Sequence, residues 1–238
     1  MTRRRWIADE FSGDRAALVG VHADHLVRVL RARVGQEFDI AADNVVRRGR
    51  VVAMAEGRVE FELGEEIPAV VVPRVLIFLS IFKFDRMEWA IEKCTELGVS
   101  QIVPVIARRT DAHLAAASVK RVDRWRRIAL HAAEQSRRAS PLEIADAAKL
   151  EDVLNHTASL KIVLAESEQG TLLRDALGPS KSGAEVVLAI GPEGGWTAPE
   201  LESFAQAGWE SASLGSTILR AETAAIAAAA ITISELGS

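Results

Sequence analysis

From Val75 onward, short continuous apolar runs alternate with longer stretches of helical periodicity, and few folds accommodate that order. Val75-Leu-Ile-Phe-Leu-Ser-Ile-Phe, Gln101-Ile-Val-Pro-Val-Ile, Leu160-Lys-Ile-Val-Leu-Ala and Glu185-Val-Val-Leu-Ala-Ile are apolar at most positions, as strands covered on both faces are. Strands separated by helices predict an α/β domain with a largely parallel sheet. The first intervening helix, about Asp85 to Leu97, sets Met87, Ala90, Ile91 and Cys94 on one side and has Gly98 as its stop.

Residues 1 to about 70 follow a different rule. Glu37-Phe-Asp-Ile-Ala, Val45 to Val52 and Arg58-Val-Glu-Phe-Glu-Leu-Gly alternate apolar with polar residues, which describes strands with one wet and one buried face. Between them, Leu26, Val29 and Leu30 stand at helical spacing. This part predicts a small antiparallel β-barrel carrying a short helix, with a boundary near Pro68 to Pro73 that divides the chain into 1–72 and 73–238.

Lys plus Arg number 29 against 33 Asp plus Glu, a net charge of -4, so any argument for a nucleic-acid partner has to be local. A single cysteine, Cys94, makes no internal disulfide and no Cys-based metal site, and no metal is expected. The basic start lacks an apolar run behind it, so a cytoplasmic location is expected rather than secretion. The apolar stretch Thr223 to Ile233 is far short of the roughly 20 residues that span a bilayer, and Glu222 and Glu235 bracket it. No membrane partner follows. That stretch reads as a helix apolar on nearly every side, buried or shared between subunits.

Two segments concentrate the chemistry. In Val186 to Glu202 an apolar strand enters the turn Gly191-Pro-Glu-Gly-Gly-Trp, and Thr197 to Glu200 then form a capping box for a helix that turns Leu201, Phe204 and Ala205 inward and stops at Gly208. Glycines without Cβ atoms let a ligand approach the main chain at the carboxyl end of a strand. The turn is neither a dinucleotide fingerprint nor a Walker A loop. The second segment, Leu214-Gly-Ser-Thr-Ile-Leu-Arg-Ala-Glu-Thr-Ala, places Arg220 and Glu222 at the entrance of the apolar helix. An acidic residue there suits the helix start, whereas an arginine can neutralise a phosphate or a developing anion.

Basic residues gather in two further places. Residues 108 to 138 hold nine Lys or Arg against three acidic residues, with Arg124, Arg127, His131, Glu134 and Arg138 opposite Trp125, Ile128, Ala129 and Ala132 on a predicted helix over Lys120 to Arg138. The N-terminal part adds Arg3, Arg4, Arg5, Arg28, Arg31, Arg33, Arg47, Arg48 and Arg50. A small barrel with basic loops suits RNA, and a solvated helix face explains the first cluster equally well.

On the Gly191-Pro-Glu-Gly-Gly-Trp and Leu214 to Ala224 segments, the chain resembles the RsmE family, bacterial 16S ribosomal RNA uridine-N3 methyltransferases of the SPOUT class. His25 with Val29-Leu-Arg31 and Gly35, Arg86-Met-Glu-Trp with Glu92-Lys-Cys-Thr-Glu-Leu-Gly98, and Ala133-Glu-Gln-Ser136 with Arg138 and Pro141 resemble it in the same order. Two positions depart from the pattern: Thr217 stands where many members carry Arg, and Arg137 where Gly is frequent. The resemblance implies a PUA-like RNA-binding barrel, then a SPOUT α/β domain with a C-terminal trefoil knot, and a homodimer through the knot. Threaded chains are too rare for periodicity to predict one.

Carried onto this sequence, the resemblance implies that S-adenosyl-L-methionine is held by Leu164, Ala165 and Glu166, by Ile190, Gly191, Pro192, Glu193, Gly194 and Gly195, and by Leu214, Gly215, Ile218, Leu219, Arg220 and Ala221. Arg220 is expected to stabilise the uracil anion or orient the target. Arg220 and Glu222 are the expected catalytic residues, and Glu222, Glu193 and Glu166 are the three candidates for removing the proton. Arg3, Arg4, Arg5, Arg28, Arg31, Arg124, Arg127 and Arg138 are expected to meet 16S rRNA or the small ribosomal subunit. The alternatives are a SPOUT methyltransferase acting on another RNA or a ribose 2′-hydroxyl, and a non-catalytic RNA-binding ribosome-assembly protein.

Overall fold

The computed structural model describes residues 5–43, 45–67, 74–136, 138, 141–178 and 184–236. The boundary expected at 68–73, the arginines at 3 and 4 and the one at 137 lie outside the described residues. The chain divides into two units, 1–70 with 133–140, and 71–132 with 141–238.

The first unit is built from β1 (Arg5–Ile7), β2 (Glu10–Ser12), β3 (Arg15–Val19), α1 (Gly20–Asp24), β4 (Glu37–Ala42), β5 (Val45–Ala55) and β6 (Arg58–Ile67). Its six strands form one sheet in the order β1-β4-β5-β6-β3-β2. In β6 the alternation does what it predicts: Val59, Phe61 and Leu63 are buried, and Phe38 on β4 meets Phe61 edge-on with 6.3 Å between centroids. The pairing is not antiparallel throughout, because β1 runs parallel to β4. The chain between them contains a hairpin and a helix, long enough for the crossover a parallel pair needs.

α1 passes into a π-helical turn over His25–Val29, closed by Leu30 N donating to His25 O at 3.2 Å. The extra residue in that turn changes the phase of the apolar spacing. Leu26 is fully buried and Leu30 packs against the core, but Val29 is 62% exposed, contrary to its expected place beside them.

The second unit holds β7 (Arg74–Ser80), α2 (Phe84–Leu97), β8 (Gln101–Ile106), α3 (Ala112–Ser118), α4 (Val122–Gln135), β9 (Glu143–Ile144), β10 (Ala148–Lys149), α5 (Leu150–Val153), β11 (Leu160–Leu164), α6 (Leu173–Leu177), β12 (Glu185–Ile190), α7 (Ala198–Gln206), β13 (Glu210–Ala212) and α8 (Ala221–Leu236). The sheet order is β10-β8-β7-β12-β11-β13, with β9 beside β8, and every pairing is parallel. Both faces are covered, which is why the strands read as unbroken apolar runs. Val75, Ile77 and Leu79 of β7 face a core shared with α2, α4 and α8, while Leu76 and Phe78 face one shared with Trp196, Phe204 and Trp209.

The helices keep their expected sides with two exceptions. α2 buries Met87, Ala90, Ile91 and Cys94 and ends at Gly98, whose φ of 112° needs a residue without Cβ. α4 buries Trp125, Ala129 and Ala132 and exposes Arg124, Arg127 and His131. In α7 the buried stripe runs through Glu200 and Phe204, so Ala205, one residue further round the helix, is exposed rather than inward. α8 is not covered all round: Ala225, Ala228, Ala229 and Thr232 are buried, whereas Thr223 and Ala230 are exposed.

Candidate active site

Three loops that are far apart in sequence meet at the carboxyl ends of neighbouring parallel strands and enclose a cavity of about 460 Å³. The loop after β11 contributes Leu164, Ala165 and Glu166. The loop after β12 contributes Ile190, Gly191, Pro192, Glu193, Gly194 and Gly195. The segment between β13 and α8 contributes Leu214, Gly215, Ile218, Leu219, Arg220 and Ala221. Every residue expected around a cofactor thus lines one space. Glu222 does not: it is buried behind the wall.

Backbone geometry explains the glycines. Gly195 has φ of 69° and its N–H closes a tight turn onto Pro192 O at 2.8 Å. A Cβ on Gly191 would sit 3.3 Å from the Trp196 indole nitrogen, and one on Gly194 would sit 3.2 Å from Arg109 Cδ. Gly215 has φ of 123° with open space around it, so its requirement is conformational.

The loops are tied together from behind. Trp196 Nε1 donates to Leu164 O at 3.1 Å, and the Trp196 ring meets Phe204 edge-on, which in turn meets Trp209. The capping box forms as expected, with Glu200 accepting from Thr197 N at 2.8 Å and Thr197 Oγ1 at 2.7 Å. Its other oxygen accepts from Arg108 N at 2.8 Å, joining the segment after β8 to the same loop, and Arg109 Nη1 donates to Gly194 O beside it.

Charge in the wall comes from both signs. Arg86, at the start of α2, donates through Nη1 to Glu193 Oε1 at 3.1 Å, and its Nε lies 3.8 Å from Glu222 Oε1. Arg220 is exposed, and no ion pair or side-chain hydrogen bond among the described residues involves it. The cation beside Glu222 is therefore Arg86 and not its sequence neighbour. Leu214 and Leu219 are half-buried, while Ile218 is 80% exposed at the cavity mouth.

Arg86 and Arg109 line the cavity and were not singled out from the sequence as site residues. They follow β7 and β8, whose carboxyl ends lie on the same edge as those of β11 and β12. That rule for open α/β sheets was the available signal.

Of the arginines expected at RNA, Arg5 opens β1, Arg28 lies 3.9 Å from Asp24, and Arg31 has a φ of 52°. On α4, Arg124 forms a two-bond fork with Glu88 at 2.6 and 2.8 Å, while exposed Arg127 makes, among the described residues, a long 3.4 Å contact from Nε to Asp123 O and no ion pair. Arg138 is half-buried, and burial pushes its guanidinium below its ordinary pKa. Among the described residues no cluster of His, Cys, Asp and Glu suits a metal ion, and no helix is long and apolar enough to cross a membrane.

With this geometry in view, comparison with known proteins is specific. The RNA methyltransferase domain family matches residues 71–233. The ribosomal RNA small subunit methyltransferase E of Mycobacterium bovis is 32% identical over 226 residues, covering 91% of this chain and 85% of that protein. The protein of the same name from Rickettsia conorii is 37% identical over 155 residues, covering 64% of this chain and 61% of that protein, less than two thirds of its length. The ribosomal RNA small subunit methyltransferase E of Neisseria gonorrhoeae, solved bound to S-adenosyl methionine, is similar in structure, with a TM-score of 0.78 at 29% identity and 96% of both chains covered.

Proposed function

The chain belongs to the RNA methyltransferase family, among the ribosomal RNA small subunit methyltransferase E proteins, and from that premise we propose that it transfers a methyl group from S-adenosyl-L-methionine to N3 of a specific uridine in 16S rRNA. The observation that carries the reading is the convergence of three loops, two of them lining the space with glycines, at one sheet edge around a single cavity.

The cavity residues fit that cofactor. Main-chain groups at Ile190 to Gly195 and Leu214 to Ala221 are open to a ligand, Leu214, Ile218 and Leu219 offer apolar contact to a flat ring, and Glu166 and Glu193 supply carboxylates toward cationic groups. When bound, the cofactor brings an activated methyl group. The residues around it have to hold the uracil in line and manage one proton.

The imide proton passes from N3 to a cavity carboxylate. The N3 pair forms the new bond to carbon as the methyl–sulfur bond breaks, and that bond's electrons remain on sulfur. Glu193, on the wall and 42% exposed, suits the acceptor better than Glu222, whose carboxylate lies behind the cavity. Arg220, at the mouth, orients the target or faces its developing charge. To present N3, the nucleotide leaves its stack.

The finer architecture belongs to the same proposal. The first unit, with its basic residues Arg5, Arg28 and Arg31, serves as a PUA-like RNA-binding barrel, and on the second unit exposed Arg127 is a separate candidate for a phosphate contact. β12 lies between β7 and β11, both of which precede it in the chain, and α8 returns to pack on α2, an arrangement suited to a trefoil knot. The partly exposed apolar face of α8 suits a homodimer through that region. Such an enzyme works in the cytoplasm on the small subunit.

The test is to incubate the protein with labelled S-adenosylmethionine and small ribosomal subunits from a strain lacking the endogenous enzyme, then digest the RNA and locate the methyl group by mass spectrometry. N3-methyluridine at one site is the expected result. Methylation of a 2′-hydroxyl, or cofactor binding with no transfer, overturns it.

A further inference from the structure

Arg86 reaches the cavity from a helix that none of the three loops belongs to, and it meets a carboxylate 107 residues away in sequence. Its Nη1 donates to Glu193 on the cavity wall, and its Nε faces Glu222 behind it. Glu222 has only 5% of its side chain accessible, and its Oε2 is buried with no hydrogen-bond partner. Among the described residues, Arg86 is the cation within 4 Å of it. A buried carboxylate without a cation is strongly unfavourable, so Glu222 pulls Arg86 into one place.

A guanidinium has five N–H donors in a rigid fork. Nη1 is occupied by Glu193 and Nε faces Glu222 at 3.8 Å, an ion-pair rather than a hydrogen-bond distance, whereas Nη2 makes no hydrogen bond among the described residues, and 30% of the side chain is accessible. The wall therefore presents a carboxylate acceptor and a guanidinium donor side by side, 3.1 Å apart. That pair complements an imide edge, which offers N–H beside C=O. Arg220 differs, since among the described residues no carboxylate or side-chain hydrogen bond fixes it. An oriented charge needs no reorganisation when the anion forms, and a mobile one does.

We propose that Arg86 is the fixed cation of the methyl-transfer site, donating through Nη2 to a uracil carbonyl oxygen as Glu193 takes the N3 proton, and that Glu222 is the positioning residue that holds Arg86 from behind. The inference rests on the reading that this cavity methylates uracil. Arg86 itself gains and loses no proton.

The test compares Arg86→Gln, Arg86→Lys, Glu222→Gln and the double variant R86Q/E222Q by thermal melting, calorimetric titration with S-adenosylmethionine, and single-turnover methylation of small subunits. Arg86→Gln is expected to melt lower, to bind S-adenosylmethionine within about threefold of the parent, and to transfer methyl about 100-fold more slowly, the usual loss for one preorganised donor. In the double variant the orphaned charge is gone, so melting recovers while the rate stays low. Arg86→Lys keeps a charge beside Glu222 without the fork, and is expected to melt near the parent and remain slow.

Recovery of rate together with stability in the double variant would reduce Arg86 to a counter-charge and overturn the proposal. Full rate in Arg86→Lys would overturn the role of Nη2. A parent protein that binds S-adenosylmethionine but methylates no uridine defeats the underlying reading instead, a result visible before any variant is made.

Discussion

The indole nitrogen of Trp196 donates to the carbonyl oxygen of Leu164 at 3.1 Å, so the loop after β12 is fastened to the last residue of β11. Trp196→Phe keeps the ring on Phe204 and removes only the donor, leaving a buried carbonyl unpaired. The expected cost is about 1–3 kcal/mol of stability. Melting and S-adenosylmethionine titration on the same variant check whether the two cavity walls separate: affinity should fall as well, and unchanged affinity would show that the loops hold without this bond.

Gly215 and Gly208 provide a matched pair. Both have positive φ, 123° and 76°, and neither has an atom within 4 Å of where a Cβ would stand. Alanine at either is expected to cost about 1–2 kcal/mol through backbone strain. Only Gly215 lines the cavity. Gly215→Ala should therefore lose cofactor affinity where Gly208→Ala keeps it, at similar melting temperatures.

Burial pushes the Cys94 thiol up from its ordinary 9.0 to about 12. The folded state holds the thiol proton more tightly than the unfolded chain does. Its contribution to stability is fully present below pH 9 and declines as the pH rises toward 12. At neutral pH, alkylation of Cys94 should proceed only through opening of the fold, so its rate should rise with denaturant; rapid labelling in native buffer would contradict the burial.

Arg124 and Arg127 lie on the same exposed side of α4 but are not equivalent. Arg124 already forks onto Glu88, whereas Arg127 does not meet a carboxylate among the described residues. If α4 meets the phosphate backbone, Arg127→Ala should reduce the slope of log affinity against log salt by about 1. Arg124→Ala should change it much less. RNA binding measured across a salt series tests the difference.

The cavity loops were legible because their constraints are local. Gly191, Gly194 and Gly195 sit between an apolar strand and a capping box, and that local pattern identifies a strand, a turn and a helix without any knowledge of what packs against them. Arg86 stood only within a helix motif and Arg109 in none, because their relation to Glu193 and Gly194 depends on β7 lying between β8 and β12. No periodicity encodes that order. The parallel pairing of β1 with β4 was hidden for a related reason, since alternation marks the faces of a strand and not its direction. Val29 and Ala205 were misplaced where the helix phase was interrupted or its buried stripe was taken up by a carboxylate, Glu200.

The cavity walls are delivered in order along the chain: Arg86 first, then Arg109, then the loops at 164, 190 and 214. During synthesis the N-terminal part emerges and folds first, at about 5–20 residues per second. If the first unit, residues 1–70 with 133–140, is the part that binds RNA, it would be complete before residues 214–224 exist to close the last wall. On that reading a growing chain would engage RNA while unable to modify it, and methylating capacity would switch on only with the segment from Leu214 and the helix α8 that follows it. Fragments ending before residue 214 should accordingly compete with the intact protein for RNA without acting on it.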